Sequence, residues 1–434
     1  MPLTRDSLDS LSAPDAFAWL AGIEDTFITA PSPRTGRTLD EYELTDHYAQ
    51  LETDLDLFAA LGLRQVRYGL PWHRLNPRPG HWDFGWADRA IDGLLARGID
   101  PVVDLVHYGL PAWIDGAFLH PDYPQYVAEY AGRVAERYRG RVHAYTPLNE
   151  PRVTAWYCGR LGWWPPFQRS WRGFVRVLLA ACRGIGATVA RLREVDPQIV
   201  AVHVDATDLY ETREPVLTPE VERRQALVFL ALDLLAGRVR ADHPLFGWLL
   251  QQGAMPDELD AFVAARGEPD LVGINLYPLF SDKRLQTHGG RLRIRMPYAS
   301  AEIVERLAAL YWMRCRRPLL ISETASSGSV ARRLQWLEDS VRATARVRAR
   351  GIPLVGYTWW PLFALVTWGY REGRLPPARY LRQMGLWDLV EQDGALRRVA
   401  TPLVARYREL VEGGAREVGR LASPPTASPS PETP

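Results

Sequence analysis

The sequence predicts a single α/β domain, a (β/α)8 barrel, and two observations favour it. Eight short apolar runs rich in β-branched residues recur along the 434-residue chain, and segments with apolar residues three and four positions apart separate them. Strands that are apolar throughout and alternate with helices form parallel sheets joined by right-handed crossovers. A doubly wound open sheet is the structural alternative, but no Gly-rich phosphate-binding sequence follows the first run.

The predicted elements follow one another in regular order. The predicted strands are 17–23, 65–70, 101–107, 143–149, 199–205, 271–277, 318–323 and 353–360. The predicted helices are 53–60, 86–97, 124–138, 171–195, 220–236, 301–313 and 331–349. Eight strands with helical connections are the number that closes a barrel of this type.

The chain divides into one folded unit and two ends. We expect residues 17–420 to form the barrel domain and residues 1–16 to be a loosely held N-terminal extension. The segment 421–434 reads LASPPTASPSPETP, which has no apolar period and is rich in Pro, Ser and Thr. Such a segment cannot bury enough apolar surface to become ordered, so we expect a disordered tail.

Charge and cysteine content exclude several classes of protein. The formal net charge is +1 and basic residues are scattered among acidic ones, so nucleic-acid binding is not expected. Cys158, Cys182 and Cys315 are too widely spaced for a disulfide framework or a zinc site. No apolar signal segment follows the N-terminal charge and no apolar run reaches spanning length, so we expect a cytoplasmic protein without a membrane partner.

Polar residues at the carboxyl ends of the strands are the candidate functional residues, because the loops there converge on one pocket. Glu150 ends the fourth predicted strand and Glu323 ends the seventh, on roughly opposite sides of the ring. The other polar and aromatic residues at strand ends are Glu24, Asp25, Arg67, His107, Asn149, Asn275, Tyr277 and Trp360.

Two carboxyl groups that face one ligand from opposite sides are suited to cleave a glycosidic bond. One protonates the leaving oxygen, and the other attacks the anomeric carbon if the groups are about 5 Å apart, which gives retention. A wider gap admits water and gives inversion. A single Glu at a strand end is more often a solvated loop residue, so the prediction depends on the pair.

Several motifs resemble those of the family 1 glycoside hydrolases, retaining β-glucosidase-like enzymes with a (β/α)8 barrel. TPLNEP, at 146–151, is similar to the acid/base motif of that family, and ISETA, at 321–325, is similar to its nucleophile motif, although the family usually has Glu-Asn-Gly there. The resemblance extends from about residue 17 to about residue 410. It implies that Glu150 is the acid/base, Glu323 the nucleophile, and Asn149 a ligand of the sugar 2-hydroxyl.

Four further segments match the family in order and spacing: VRYGLPWHRLNP from Val66, HYGLPAWI from His107, GINLYP from Gly273 and GYTWWPLFALVTW from Gly356. The resemblance implies that Arg67 holds the nucleophile ionised and that Tyr277 donates a hydrogen bond to it. It also implies substrate contacts, and the residues expected to make them are His107, Asn275, Trp360 and Trp368.

The chain departs from the family where that family grips the far hydroxyls of a hexopyranose. The Gln of the family falls near Phe27 and its Glu falls at Thr367, while Ala364-Leu365 replaces an Asp-Asn pair. Because buried hydrogen bonds to hydroxyls give strong discrimination, we expect the specificity for the glycone, the sugar that is transferred, to differ from that for glucose or galactose.

Nearby polar and aromatic residues leave alternatives open. Glu24, Asp25 and His73 can supply substitute contacts or form salt bridges with Arg67 or Arg74, and Glu24 is taken as a substrate-binding candidate. Asp104 is expected to be a core partner instead of a catalyst. Trp163-Trp164 either stacks on the leaving group or a second sugar, with Trp164 the candidate, or packs on the barrel rim.

The expected activity is therefore hydrolysis of a β-linked glycoside by double displacement. Arg67 is expected to keep Glu323 anionic, and the charge of Glu323 is expected to raise the pKa of Glu150. The expected partner is a small carbohydrate or glycoside, with no metal or organic cofactor. A transglycosidase with the same two Glu residues and a non-catalytic sugar-binding barrel are the alternatives.

Overall fold

The computed structural model describes residues 3–422, and its core is a closed barrel of eight parallel strands. The strands are β1 (Ala18–Gly22), β2 (Gln65–Gly69), β3 (Asp100–Asp104), β4 (Ala144–Thr146), β5 (Val200–Ala206), β6 (Leu271–Asn275), β7 (Leu319–Thr324) and β8 (Leu354–Trp359). The ring closes where β1 pairs with both β8 and β2. The predicted fold class is confirmed, and each predicted strand overlaps an observed one.

One helix follows each strand and lies on the outside of the barrel. The helices are α1 (Leu51–Ala60), α2 (Gly85–Ala96), α3 (Tyr123–Arg137), α4 (Trp171–Val195), α5 (Thr218–Leu235), α6 (Glu302–Cys315), α7 (Val330–Ala349) and α8 (Pro402–Ala422). The first seven were predicted from their apolar spacing. The last was not among the predicted segments, and it is kinked at Gly414.

The N-terminal segment differs from the expectation of a loosely held extension. Arg5–Leu11 is a helix, with Thr4 as its N-cap, and Leu3, Leu8 and Leu11 are buried. These leucines pack with barrel residues near the strand starts, among them Ala18, Val102, Ala144 and Val200. The helix therefore closes the floor of the barrel, which leaves the carboxyl ends of the strands as the open end.

Shorter elements lie in the loops. The additional strands are Phe27–Ile28, Leu39–Asp40, Leu209–Thr212, Asp282–His288, Arg291–Arg295, Leu365–Val366, Leu381–Arg382, Trp387–Gln392 and Ala395–Ala400. The additional α-helices are Glu41–Leu44, Trp72–Leu75, Pro151–Ala155, Phe246–Gln251, Pro256–Ala265 and Gly369–Glu372. A π-helical segment covers Trp156–Leu161, and short 3-10 segments cover Ala117–Leu119, Pro215–Leu217 and Pro377–Tyr380.

One helix of the described residues, α4, is long and apolar enough by length and composition to span a membrane. This differs from the expectation that no apolar run reaches that length. In the fold, 67% of its most apolar window is buried, and it packs against α3. The apolar side chains of α4 therefore pack on the outside of the barrel in this fold.

The three cysteines are free and buried. Most of the predicted tail, from residue 423 onward, lies outside the described residues, and the first two residues of that segment end α8.

Candidate active site

The loop after β4 places Glu150 at the open end of the barrel. Its backbone N–H donates to the carbonyl of Val204, 3.1 Å away, and the N–H of Asn149 donates to that of Val106 at 2.8 Å. Glu150 precedes a proline, which disfavours the right-handed helical conformation, and it adopts φ 48° and ψ 67°. The two neighbouring strands and Pro151 thus fix an unusual backbone conformation that turns the side chain into the barrel.

Glu150 is buried, and both of its carboxyl oxygens accept hydrogen bonds. The amide of Asn275 donates to Oε1 at 2.8 Å, and the hydroxyl of Tyr108 donates to Oε2. Burial raises the pKa of Glu150, while the two donors act in the opposite direction. The carboxyl group is held in place and gains affinity for a proton because it is removed from water. Burial is therefore the largest cause of the raised pKa of Glu150, whereas the sequence led us to expect the charge of Glu323 as the cause.

Glu323 ends β7 and is also buried, at 4% exposure. Arg67 donates to its Oε1, and the hydroxyl of Tyr277 donates to Oε2 at 2.7 Å. Burial raises the pKa of Glu323 to about 7, Arg67 lowers it, and Glu150 adds to the rise. Arg67 therefore makes the expected contact and lowers the pKa of Glu323 as expected. Its effect is smaller than that of desolvation, however, so the expectation that Arg67 keeps Glu323 anionic is not met by its pKa.

Asn149 joins the two carboxyl groups through shared partners. Its Oδ1 accepts from Arg67 at 2.7 Å and from Asn275 at 3.2 Å, and its Nδ2 lies 3.0 Å from the hydroxyl of Tyr108. Arg67 contacts Glu323, and Tyr108 and Asn275 contact Glu150. A single hydrogen-bond network therefore runs across the mouth of the barrel from β7 to β4.

His107 lies beside this network between two buried carboxylates. Its Nδ1 contacts Asp25 and lies 3.6 Å from Asp104, and its Nε2 lies 2.9 Å from Nδ2 of Asn149. Burial disfavours the imidazolium, but Asp25 and Asp104 outweigh it, so the pKa of His107 is raised. Burial raises the pKa of Asp25 to about 7 in spite of His107. The carboxylates at Nδ1 therefore favour the charged form of His107, whereas Nε2 can accept a hydrogen bond from the amide of Asn149 only in the neutral form.

Asp104 is a core partner, as expected, because it lies 2.5 Å from the guanidinium of Arg67. Asp25, Asp104 and His107 have ligand atoms close enough together to hold a metal ion. The positive charge beside these carboxylates is supplied by Arg67 and His107, so the group does not require a metal to balance it.

Aromatic rings form the walls of the site. Trp360 is fully buried, stacks on His107 at 5.9 Å between ring centres, and has the guanidinium of Arg67 over its face. Trp368 lies against Tyr108, with 5.3 Å between ring centres, and against Trp164, with 5.0 Å. The predicted aromatic residues are thus brought together around the network.

The alternative of rim packing fits Trp164 better than stacking on a sugar. Its side chain is 2% exposed and stacks on Tyr157 at 4.5 Å, although with Tyr108 it also borders a cavity of about 330 Å3. Trp163 is half exposed. His73 does not pair with Arg67 or Arg74, since its Nε2 lies 3.0 Å from Asp40.

Glu24 lies near Nε2 of His107, the same ring nitrogen that Asn149 contacts. Its Oε1 accepts from the hydroxyl of Thr26 at 2.5 Å and lies 3.7 Å from Nε2 of His107, and its Oε2 accepts from the indole of Trp360 at 3.0 Å. The carboxyl group is buried at 6% exposure. Glu24 therefore lies in the site, and its nearest cation is His107, not Arg67 or Arg74.

Two further residues of the site were not predicted. Tyr108 directly follows His107 where the family motif has Trp, so its position in HYGLP was a signal that could have identified it. Glu41 lies in the loop after β1, fully buried, and its Oε2 accepts from the backbone N–H of Val366 at 3.0 Å. No motif surrounds Glu41, because it comes into the site only through the fold of that loop.

Comparison with known proteins decides the family. The model of Glycosyl hydrolase family 1 matches residues 20–229, and the "Thermostable beta-glucosidase B" of Thermobispora bispora is 26% identical over 468 residues, which cover 90% of this chain and 93% of that relative. The chain belongs to glycosyl hydrolase family 1. As a family 1 member it is a glycosidase, and its low identity to the relative makes it a divergent one.

Other relatives and structures agree with this family 1 assignment. The bifunctional β-D-glucosidase/β-D-fucosidase of Bifidobacterium breve is 34% identical over 143 residues, which cover 31% of each chain. The structure of a β-glucosidase from Thermotoga maritima in complex with glucoimidazole has a TM-score of 0.80 at 19% identity, covering 92% of this chain and 98% of that one. That likeness shows the shared barrel fold.

Proposed function

We propose that this family 1 glycosidase cleaves β-linked glycosides with retention, with Glu323 as nucleophile and Glu150 as acid/base. The observation that carries the proposal is the network across the barrel mouth. It gives each of the two carboxyl groups its own pair of donors and links them through Asn149. Opposed carboxyl groups on one ligand are what double displacement at an anomeric carbon requires.

In the first step Glu323 attacks the anomeric carbon while Glu150 protonates the leaving oxygen. Arg67 and Tyr277 hold the two oxygens of Glu323, which orients the nucleophile and stabilises its anionic form. Burial raises the pKa of Glu150 above its ordinary value, which favours the protonated form that this step uses.

In the second step Glu150 acts as a base toward water. Glu150 and Glu323 raise each other's affinity for a proton, since Glu150 is one cause of the raised pKa of Glu323. Esterification of Glu323 removes its charge, so the pKa of Glu150 falls and its carboxylate can accept a proton from the attacking water.

We also propose that the preferred glycone is not plain glucose or galactose. The positions of the two gripping residues of the family are occupied by Phe27, which packs on Tyr42 and His73, and by Thr367. Neither residue offers a carboxylate or a carboxamide. A hexose whose far hydroxyls need such partners loses them here.

The test is a screen of aryl β-glycosides with varied glycones against the wild type and the variant Glu323→Gly with added azide. We expect the variant to be inactive without azide and to release an α-configured glycosyl azide with it. The same screen with added acceptor alcohols separates hydrolysis from transglycosylation. Full activity of Glu323→Gly, or failure to cleave any aryl glycoside, would contradict the proposal.

A further inference from the structure

Two carboxyl groups on the loop after β1 are buried in the site, and neither has a cation nearer than 3.7 Å within residues 3–422. Glu24 is held by the hydroxyl of Thr26 and the indole of Trp360, which are neutral donors, and its nearest cation, His107, is 3.7 Å away. Glu41 is held by one backbone N–H, and its Oε1 has no hydrogen-bond partner within residues 3–422. A buried carboxyl oxygen without a partner is costly, so a ligand or a proton is expected there.

Glu24 and Glu41 lie next to each other on the loop after β1. The N–H of Glu41 donates to the carbonyl of Thr26 at 3.2 Å, and the hydroxyl of the same threonine donates to Glu24. Burial, and then the charge of Glu24, raise the pKa of Glu41. The two groups are therefore close enough to repel each other when both are ionised.

The charges around the site do not balance. Its cations are Arg67, which contacts Asp104 and Glu323, and His107, which contacts Asp25. Among the described residues of the site, the carboxyl groups with no cation nearer than 3.7 Å are Glu24, Glu41 and Glu150. Glu150 has a role that uses a proton, so the surplus negative charge belongs to the pair on the β1 loop.

We infer that Glu24 and Glu41 bind a positively charged glycone, an amino sugar whose ammonium lies at the end of the ring opposite the anomeric carbon. An ammonium has three donors and can satisfy both carboxylates, including the unpartnered Oε1 of Glu41. The pair lies beyond His107 and Trp360, whereas the proposed acid/base and nucleophile act at the anomeric carbon. The inference rests on the proposed function, because it places the reacting carbon between Glu150 and Glu323.

The first test compares kcat/KM for an aryl β-glucoside and for its 3-amino, 4-amino and 6-amino deoxy analogues at neutral pH. We expect at least one amino glycoside to be preferred by about tenfold or more, since it adds a charge-assisted contact that the parent lacks. A preference for the parent over all three analogues would overturn the inference.

The second test uses Glu41→Gln, which keeps the size of the side chain and removes its charge. We expect the ratio of kcat/KM for the amino glycoside to kcat/KM for the parent glucoside to fall about tenfold, because only the amino glycoside loses a charge-assisted contact. The matched control is Glu43→Gln on the same short helix, because Glu43 is exposed and pairs with Arg74 on the surface. Equal losses on both substrates in Glu41→Gln would assign the pair a structural role only.

Binding measurements separate this inference from the proposed function. Calorimetric titration with non-hydrolysable amino and neutral β-thioglycosides tests Glu24 and Glu41 even if no aryl glycoside is cleaved. We expect the amino compound to bind about tenfold more tightly to the wild type and no more tightly than the neutral one to Glu41→Gln. Equal affinity of the two compounds for the wild type would overturn the inference, whereas an active Glu323→Gly would overturn only the catalytic assignment.

Discussion

Tyr108 has an uncommon backbone conformation and precedes a glycine in a crowded position. A Cβ at Gly109 would lie 1.3 Å from the carbonyl oxygen of Phe27. Only a glycine therefore allows the chain to approach the short strand Phe27–Ile28 this closely. Tyr108 itself adopts φ 68°, which is uncommon for a residue with a side chain. This turn places its hydroxyl between Glu150 and Asn149.

Replacing the hydroxyl of Tyr108 tests its effect on the proposed acid. Tyr108 lowers the pKa of Glu150 by donating to the carboxylate, so Tyr108→Phe is expected to raise that pKa. The acid form of Glu150 then persists to higher pH, and the alkaline limb of the kcat/KM profile moves upward. A pH–rate series checks this, with Tyr157→Phe on the neighbouring aromatic wall as control. An unchanged alkaline limb would contradict it.

Tyr277→Phe should move the other limb of the profile. Donation from Tyr277 stabilises the carboxylate of Glu323, so its removal should raise the pKa of Glu323 further above its ordinary value, beyond about 7. The anionic nucleophile is then populated only at higher pH, and we expect the acid limb to shift upward while kcat falls roughly tenfold or more. The prediction is wrong if kcat falls but the acid limb stays in place.

At the scale of single residues, the sequence predicts what lies at strand ends and misses what loops bring in. Glu150, Glu323 and Arg67 follow from their positions on, or shortly after, strands whose ends must converge. Glu41 could not be predicted, because its burial depends on a contact with Val366, which is more than 300 residues away in the chain. Local sequence carries no signal of such a contact.

Among the elements, the N-terminal helix is short, but it closes the floor of the barrel. Seven residues are too few for a stable isolated helix, and its order comes from three leucines buried against the barrel floor. Arg5 adds a contact to Asp270 at 2.9 Å, just before β6. A pattern of three apolar positions is too short to distinguish a docked helix from a loosely held extension. The sequence therefore predicted a loosely held extension.

Shortening one of these leucines should destabilise the whole barrel. Leu8→Ala removes a buried side chain and is expected to lower the free energy of unfolding by about 2–4 kcal/mol. Denaturant unfolding measures it, and Asp9→Ala, on the exposed side of the same helix, is the control. A loss equal to that of Asp9→Ala would show that the helix does not contribute to the fold.

For the molecule as a whole, the buried carboxyl groups lower stability at the pH where they are needed. Burial raises the pKa of Glu323 from 4.5 to about 7, so its contribution to stability is fully present below 4.5 and is lost as the pH rises through 7. The loss is about 1.4 kcal/mol per pH unit between these values. The strand count predicts the barrel, but it does not predict this distribution of charge.

Glu323→Gln removes that titration and should therefore change how stability depends on pH. We expect Tm of the variant relative to the wild type to become steadily more positive as the pH is raised from about 5 to 7 and to level off above that pH. Thermal unfolding at several pH values checks the slope. Leu8→Ala should shift Tm without altering the slope, and parallel curves for Glu323→Gln would contradict the raised pKa.

The closed floor also sets the order in which the chain can assemble during synthesis. The N-terminal helix is synthesised before the barrel, but its docking surface includes Leu320 and Val355 of β7 and β8. At about 5–20 residues per second, the roughly 340 residues between them take about 17–70 s to be made. For that interval the docking surface of its leucines is incomplete, so the helix can dock fully only after β7 and β8 have formed, and its protection from solvent reports that the ring has closed.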